Sequence, residues 1–518
     1  MKTKHFILLL IFTSVVVFAI LSFGKKVTPS KPNIVFILAD DLGYGDITSL
    51  NKNSKIPTPN IDEIANSGVI FTDAHSSSAV CTPTRYGILT GRYNWRSKQK
   101  RGVLGGYSKA LISDDRTTMA HMLKKQGYTT AAIGKWHLGW DWNNIEKGND
   151  SVDYSKPIFN GPTARGFDYF YGFNGSLDMP PYVYVENDMP TSIPNHETVG
   201  NNKNPSQEGY NGALWRKGPT GSDFNHQECL PNLTSRIVKY IEEKAPGKQP
   251  YFAYYPMPAP HTPILPSKEF EGKSGLNSYA DFVMMVDHEV GKIVEAIRRT
   301  GEEDNTIIVL TSDNGCSPLA DFNTLLSKGH NPSFVFRGHK ADLFEGGHRI
   351  PCIVKWPAVI KEKHEVSQTI CLTDFMATFA KIAGYRLADN EAEDSYNLLP
   401  VLTNPGNKKI IREATVGHSI NGSFTILKDD WKLLLAPGSG GWSFPRPGKD
   451  TMGLPPIQLY NLKSDIDEKN NVYKEHPKVV KELKSLLKKY IVEGRSTPGR
   501  PQKNDGKYPW PQIQDIIN

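Results

Sequence analysis

Cysteine is scarce in this chain and odd in number: Cys81, Cys229, Cys316, Cys352 and Cys371 are the only five in 518 residues. None stands close to another cysteine, or to histidines at short intervals, in the way a zinc site needs. In an oxidising compartment an odd count leaves at least one thiol unpaired or chemically altered. An excess of one charge is also lacking. Sixty-one Lys and Arg against 54 Asp and Glu leave a net charge of +7, mild for this length, and it carries no nucleic-acid signature. It is compatible with an anionic substrate and does not demand one. Internal repeats are missing, and beyond residue 23 no apolar run is long enough to span a bilayer.

The one long apolar run lies at the start. Met-Lys-Thr-Lys-His leads into Phe6 to Phe23, then Gly24, Lys25 and Lys26, the charged head and apolar middle of an export signal. The run is also long enough for a retained anchor. Residues 1–26 are therefore read as a signal peptide or N-terminal anchor, and the protein as exported, periplasmic or secreted. No cysteine stands close behind the run, which argues against a lipoprotein.

From residue 33 onward, strand-like and helix-like segments alternate. Asn33 to Ala39 (NIVFILA) has a buried-strand pattern, and Asn60 to Gly68 reads as a helix opened by Thr58 and Pro59. Asp114 to Gln126 is amphipathic and precedes a strand at Tyr128 to Ile133. Asp281 to Thr300 places Phe282, Met285, Val286, Val290, Ile293, Val294 and Ile297 at helical spacing before a strand at Asn305 to Leu310. The alternation predicts an α/β fold, a mainly parallel sheet with helices on both faces, over residues 27–410. Further on, Phe424 to Asp429, Trp431 to Leu435 and Gln458 to Leu462 read as short antiparallel strands, with a charged helix from about Lys474 to Ile491. They predict a smaller α+β domain over 411–518. Two polar stretches rich in Pro, Gly and Asn, Tyr182 to Leu230 and Ala436 to Pro456, read as long connections of the kind that carry function.

Ligands of open α/β sheets bind outside the carboxyl ends of the strands. Two apolar strands far apart in sequence finish there on oxygen donors: Asp40 and Asp41 in "NIVFILADD", Asp313 and Asn314 in "NTIIVLTSDNG". Singly, each pair reads as a helix cap. Together they favour a hard cation such as Ca²⁺ or Mg²⁺ over zinc. "GKWHLG" presents Lys135 and His137, which in an extended chain point to one side, and "PHTP" presents His261. "FRGHKADLFEGGHRIP" gathers Arg337, His339, Lys340, His348 and Arg349 into a glycine-punctuated loop, otherwise an ordinary solvated charge run. "CTPTR" would put Cys81 at a helix N-terminus, where backbone N–H groups favour an anion or polarised nucleophile, with Arg85 one turn on. The alternative for Cys81 is a structural half-cystine.

In order along the chain, "ILADDLGYGD", "CTPTRYGILTGR", "GKWHLG", "PHTP", "TSDNG" and "GHKADLFEGGHRIP" resemble the formylglycine-dependent (type I) sulfatases of the alkaline-phosphatase-like superfamily. The resemblance runs from Lys31 to Leu435. It implies that Cys81 is oxidised to formylglycine (3-oxoalanine) by a formylglycine-generating or anaerobic maturation enzyme. It further implies one calcium ion held by Asp40, Asp41, Asp313, Asn314 and an oxygen of residue 81. The aldehyde hydrate would attack sulfur. Arg85 would polarise it, His137 would assist release of sulfate, His261 would protonate the leaving sugar oxygen, and Lys135 and Lys340 would bind sulfate oxygens.

Asp178, Arg337 and His339 are candidates for a sugar subsite, and Arg349 is read as structural. The flanking sequence resembles the polysaccharide sulfatase and N-acetylgalactosamine-6-sulfatase branch. That implies exo-acting removal of sulfate from a galactose-type or N-acetylgalactosamine-type residue of a sulfated oligosaccharide or polysaccharide, with Trp215 and Trp442 suited to stacking on sugar. One rival is a phosphomonoester, phosphodiester or aryl-sulfate hydrolase of the same superfamily. The intact "CTPTR", both lysines and the want of a histidine-rich metal cluster disfavour the phosphate readings. The other rival, a sulfated-glycan-binding protein without activity, is disfavoured because every expected catalytic position is filled.

Overall fold

Valine, isoleucine and phenylalanine in short unbroken runs favour strands buried on both faces, and such runs form the centre of the molecule. The computed structural model describes residues 31–517 except 202, 204–206, 208–211 and 405; the signal or anchor at residues 1–26 lies outside the described residues. The main sheet runs in the order His364–Val366, Gly68–Phe71, Cys352–Lys355, Thr306–Ser312, Asn33–Asp40, Tyr251–Pro260, Thr129–Lys135, Tyr169–Phe173, Val185–Glu186, Met189–Pro190. The strands from Thr306–Ser312 to Tyr169–Phe173 are parallel, Cys352–Lys355 is antiparallel to both neighbours, and the last two strands are antiparallel.

Alternation within one strand feeds two cores. Val35 and Ile37 pack with helices Pro59–Asn66, Cys229–Lys244 and Ser278–Arg299, while Ile34, Phe36 and Leu38 pack with Cys81–Thr90, Met119–Lys125 and Asp374–Ala383. Each fully buried side chain of this size contributes about 1.5–3 kcal/mol. A separate antiparallel sheet, Thr415–His418, Phe424–Lys428, Trp431–Leu434 and Gln458–Asn461, packs Val416, Ile426 and Leu433 against Leu483, Leu487 and Ile491 of helix Pro477–Glu493. Tyr93 and Trp95 join this core from the large unit. Among the described residues no helix is long and apolar enough to cross a membrane.

Some local expectations are corrected. Of the amphipathic segment Asp114 to Gln126 only Met119–Lys125 is helical, because the Thr118 side chain caps it by accepting the His121 N–H at 3.1 Å. Tyr182 to Leu230 is not one structureless connection. It contains Val185–Glu186, Met189–Pro190, Pro194–Thr198 and Gly218–Gly221 and the start of helix Cys229–Lys244. Lys135 ends its strand and His137 has φ +56°, so the extended geometry expected to align their side chains does not hold. The strand Thr415–His418 was not anticipated, since TVGH has little apolar content to announce it.

Candidate active site

Strand Asn33–Asp40 ends beside Thr306–Ser312, so Asp40 and Asp41 meet Asp313 and Asn314 although more than 270 residues separate them in sequence. An uninterrupted strand would send Asp40 and Asp41 to opposite faces. Instead Asp41 takes φ +66°, and both carboxylates enter one cluster. Asp41 accepts from Asn314 Nδ2 at 2.6 Å and from Lys340 Nζ at 2.8 Å. Asp40 accepts from Lys135 Nζ at 2.5 Å. Asp313 accepts from Arg85 Nε at 3.0 Å and Nη2 at 2.7 Å.

Cys81 is the first residue of helix Cys81–Thr90, which starts from extended Val80 and stops at Gly91, φ +61°. The glycine inside it, Gly87, is explained by packing: a Cβ there would lie 2.5 Å from Ser77 Oγ. Sγ of Cys81, a carboxylate oxygen each of Asp40 and Asp41 and a ring nitrogen of His261 lie within 4.8 Å of one another. No cysteine of the chain is disulfide-bonded, and all five are buried. Burial pushes the Cys81 thiol up to about 11, against the pull of Lys135 and Lys340, so the unmodified side chain is a neutral thiol and a weak nucleophile.

The electrostatics suit a cation. Burial would raise the Asp40 carboxyl, but Lys135, His261, Arg85 and Lys340 outweigh it and hold it well below the usual range. Asp313 shifts the other way, raised by burial and by the Asp40 charge. The three carboxylates face the three cations Arg85, Lys135 and Lys340. Asp40 Oδ1 and Asn314 Oδ1 are buried and have no hydrogen-bond partner. Unpartnered acceptors of this kind cost about 1–3 kcal/mol each, and an oxygen-only donor set fits a hard divalent ion. His261 also lies in the cluster, its Nε2 3.7 Å from Asp41 Oδ2.

The histidines are oriented by backbone carbonyls. His137 Nε2–H donates to Leu104 O at 2.7 Å, and its Nδ1, buried and unpartnered, is left with a lone pair. Burial, with Lys135 and Arg85, holds its pKa well below normal, so the ring is neutral. His261 Nδ1–H donates to Thr262 O at 2.5 Å; burial and then Lys340 lower its pKa.

The substrate candidates divide. Asp178, 4% exposed, pairs with Arg216, and its Oδ1 is buried without a partner. A cavity of about 590 Å³ beside it is lined by Leu104, Gly105, Tyr107, Met179 and Arg216. His339 is half-buried, its N–H donating to Asp342 Oδ2 at 2.9 Å. Arg337 points elsewhere: its guanidinium donates to Glu468 O at 2.7 Å and lies 3.9 Å from the centre of the Phe344 ring. Arg349 is tied to Glu345 at 2.6 Å and Asp73 at 2.7 Å. Sequence reasoning missed Ser176, whose Oγ accepts from Lys135 Nζ at 3.0 Å and sits 3.3 Å from His261 Nδ1. It also missed Arg216. Neither stands in a motif, and the only signal was position: Ser176 two residues before Asp178, Arg216 next to Trp215.

The chain has counterparts among known proteins. A family profile described as Sulfatase matches residues 32–385. An N-acetylgalactosamine-6-O-sulfatase of Bacteroides thetaiotaomicron is 34% identical over 496 residues, 88% of this chain and 92% of that one. The human N-acetylgalactosamine-6-sulfatase is 28% identical over 389 residues, 73% of this chain and 67% of its own. A solved structure described under the metabolism of multiple glycosaminoglycans by Bacteroides thetaiotaomicron superposes with a TM-score of 0.76 at 32% identity, covering 89% of this chain and 99% of that one.

Proposed function

The chain belongs to the sulfatase family and is a sulfuric ester hydrolase, and from that premise we propose that it removes a 6-linked sulfate from a galactose-type or N-acetylgalactosamine-type residue at the end of a sulfated glycan. The names of its relatives and the buried, half-satisfied Asp178 carboxylate beside a sugar-sized cavity support this substrate. The observation that carries the chemistry is the pair of buried, unpartnered oxygens on Asp40, which lies beside Cys81, and on Asn314, which donates to Asp41. Asp40, Asp41, Asp313 and Asn314 would hold Ca²⁺, which when bound supplies Lewis-acid stabilisation of the charge on the ester and on residue 81. Residue 81 is proposed to be formylglycine, made by a dedicated maturation enzyme; its hydrate offers one hydroxyl to attack sulfur and a second whose deprotonation expels sulfate.

The chain's own groups then have distinct tasks. Lys135 and Lys340 bring two ammonium groups, already desolvated, to the sulfate oxygens. Arg85, locked on Asp313, keeps its positive charge within the carboxylate cluster. His261, its Nδ1–H held by Thr262 O and its Nε2 3.7 Å from Asp41, would in its doubly protonated form pass a proton from Nε2 to the departing sugar oxygen and return to the neutral ring. His137, with Nδ1 free and neutral, would accept the proton released as the aldehyde reforms. Ser176 joins Lys135 to His261 and keeps the two in register. The apolar run at residues 6–23 supports an exported enzyme.

The test has two parts. Peptide mass spectrometry across Cys81 reads the conversion, and sulfate release is measured from 6-sulfated and 4-sulfated galactose and N-acetylgalactosamine. No release from any 6-sulfate would sink the substrate claim. Faster cleavage of the phosphate ester than of the sulfate ester of one alcohol would favour the phosphohydrolase reading instead.

A further inference from the structure

The loop between strands Trp431–Leu434 and Gln458–Asn461 leaves an unusual amount of apolar surface in water. Trp442 is 43% and Phe444 70% exposed, with Met452 at 79% and Leu454 at 40%. Single exposed apolar residues are ordinary, but a cluster on one segment marks a ligand or partner surface. This loop is held firmly. Ser439 N–H donates to Pro445 O at 2.9 Å, and Gln458 Nε2 donates to Ala436 O and Gly438 O at 2.8 and 2.9 Å. The N–H groups of Trp442 and Ser443 both donate to Asp342 Oδ1, at 2.8 and 3.0 Å. Gly441 is required here, because a Cβ would lie 2.3 Å from Ala341 O.

Asp342 is the link to the active site. It is fully buried, and its other oxygen accepts the N–H of His339. Lys340 and Ala341 lie between His339 and Asp342, and Ala341 N–H donates to Ala79 O at 2.7 Å, two residues before Cys81. Asn421 Nδ2 donates to Gly440 O at 3.1 Å, while Ala79 N–H and Ser78 Oγ–H donate to His418 O at 2.9 and 2.8 Å. The aromatic loop is thus braced on the segments that carry Lys340 and residue 81. Arg446 and Lys449 are both exposed on the same loop; Arg446 pairs with Asp450 at 3.4 Å, and Lys449 adds a further positive charge.

We infer that Trp442 and Phe444 form a platform for the sugar ring next to the one that loses its sulfate, so that the protein is built for sulfated chains rather than sulfated monosaccharides; this rests on the sulfated-glycan reading above. The chemistry favours that occupant. Flat aromatic faces take the apolar faces of sugar rings, the neighbouring cations take sulfate or carboxylate groups along the chain, and the platform adjoins the segment that presents Lys340. Four side chains on one loop are far less than the roughly 800 Å² per partner of a stable protein interface.

The probes are N-acetylgalactosamine 6-sulfate and a chondroitin 6-sulfate tetrasaccharide, with wild type and Trp442→Ala, Phe444→Ala and the double variant. The wild type is expected to favour the tetrasaccharide in kcat/KM. In the double variant that preference is expected to fall about tenfold, the effect lying in KM, a loss of about 1.4 kcal/mol of binding. An equal fall on both probes, or no fall on either, overturns the platform. So does a double variant that loses self-association in gel filtration while keeping its glycan preference, since the patch is then a contact between copies. If wild type releases sulfate from neither probe, the substrate reading fails by itself. Calorimetry of the tetrasaccharide on Cys81→Ser protein then judges the platform: affinity lost with Trp442→Ala supports it, and affinity retained overturns it.

Discussion

Two buried ionic clusters lie at the ends of the segment 340–349, made of the same residue types and left in opposite states. At the strand ends, Asp40, Asp41, Asp313, Arg85, Lys135, Lys340 and two histidines leave Asp40 Oδ1, Asn314 Oδ1 and His137 Nδ1 unpartnered. At the joint with the small sheet, Lys432 Nζ lies 2.7 Å from Glu345 and 2.9 Å from Glu468, and Arg349 donates to Glu345 at 2.6 Å. There every histidine nitrogen is taken: His75 Nδ1 meets His348 Nδ1 at 2.8 Å, His75 Nε2 meets Asp73 at 2.8 Å, and His348 Nε2 meets Leu343 O at 3.0 Å. Both clusters bring potential metal ligands close together. Of the two, the strand-end cluster is the one whose acceptors are left with neither a hydrogen bond nor an ion-pair partner. A saturated cluster locks two parts of a fold, and an unsaturated one waits for a ligand.

Four perturbations would break or sharpen this contrast. Cys81→Ala should lower sulfate release by about 10⁴-fold or more, because groups acting as one unit fail together, while leaving thermal unfolding nearly unchanged. Steady-state assay and calorimetry read both, and an active variant would remove the strand-end cluster from the chemistry. Lys432→Met does the reverse, stranding the Glu345 and Glu468 carboxylates. It should destabilise by about 3–5 kcal/mol, with most of the loss restored by adding Glu345→Gln and Glu468→Gln. Denaturant unfolding measures this, and an undisturbed single variant would mean that the joint is not a lock.

Calcium at 100 times its Kd should stabilise by about 2.7 kcal/mol, reversed by chelator. That increment should survive Lys432→Met and vanish in Asp40→Asn, as shifts in unfolding temperature will show. The smallest effect belongs to His418, where the small sheet touches residues 78 and 79. Burial first, then Lys100, pushes its pKa down to about 3. An unfolded histidine titrates near 6.5. Below that value protons bind the unfolded chain first, so stability is full above pH 6.5 and falls progressively as pH drops toward 3. Stability measured from pH 7 to 4.5 should therefore decline less steeply in His418→Gln; an identical slope would show that this ring does not govern the decline.

Much of the candidate site was legible because its residues sit at strand ends. The runs NIVFILA and NTIIVL announce themselves by apolar content, and the residues just past them inherit a place at the sheet's carboxyl edge. His137 was legible as a residue and not as a geometry: the left-handed turn that aims it is not encoded in strand periodicity. Helix Met119–Lys125 came out shorter than its amphipathic pattern because a cap at Thr118 outweighs periodicity over one turn. Arg337 stands in the same loop as Lys340, yet it faces Glu468, since a loop can present neighbours to different walls. Ser176 and Arg216 had no pattern to betray them.

Taken alone, the order of residues determined the alternating α/β plan, the second antiparallel sheet and the strand-end placement of Asp40, Asp41, Asp313 and Asn314, because hydrophobic periodicity and strand direction act over a dozen residues or fewer. Only the tertiary structure decided which charges are saturated. Lys432 reaches Glu345 across 87 residues and Lys340 reaches Asp41 across 299. Whether a buried lone pair is left free depends on what burial brings to it from such distances, and no local window of sequence contains that.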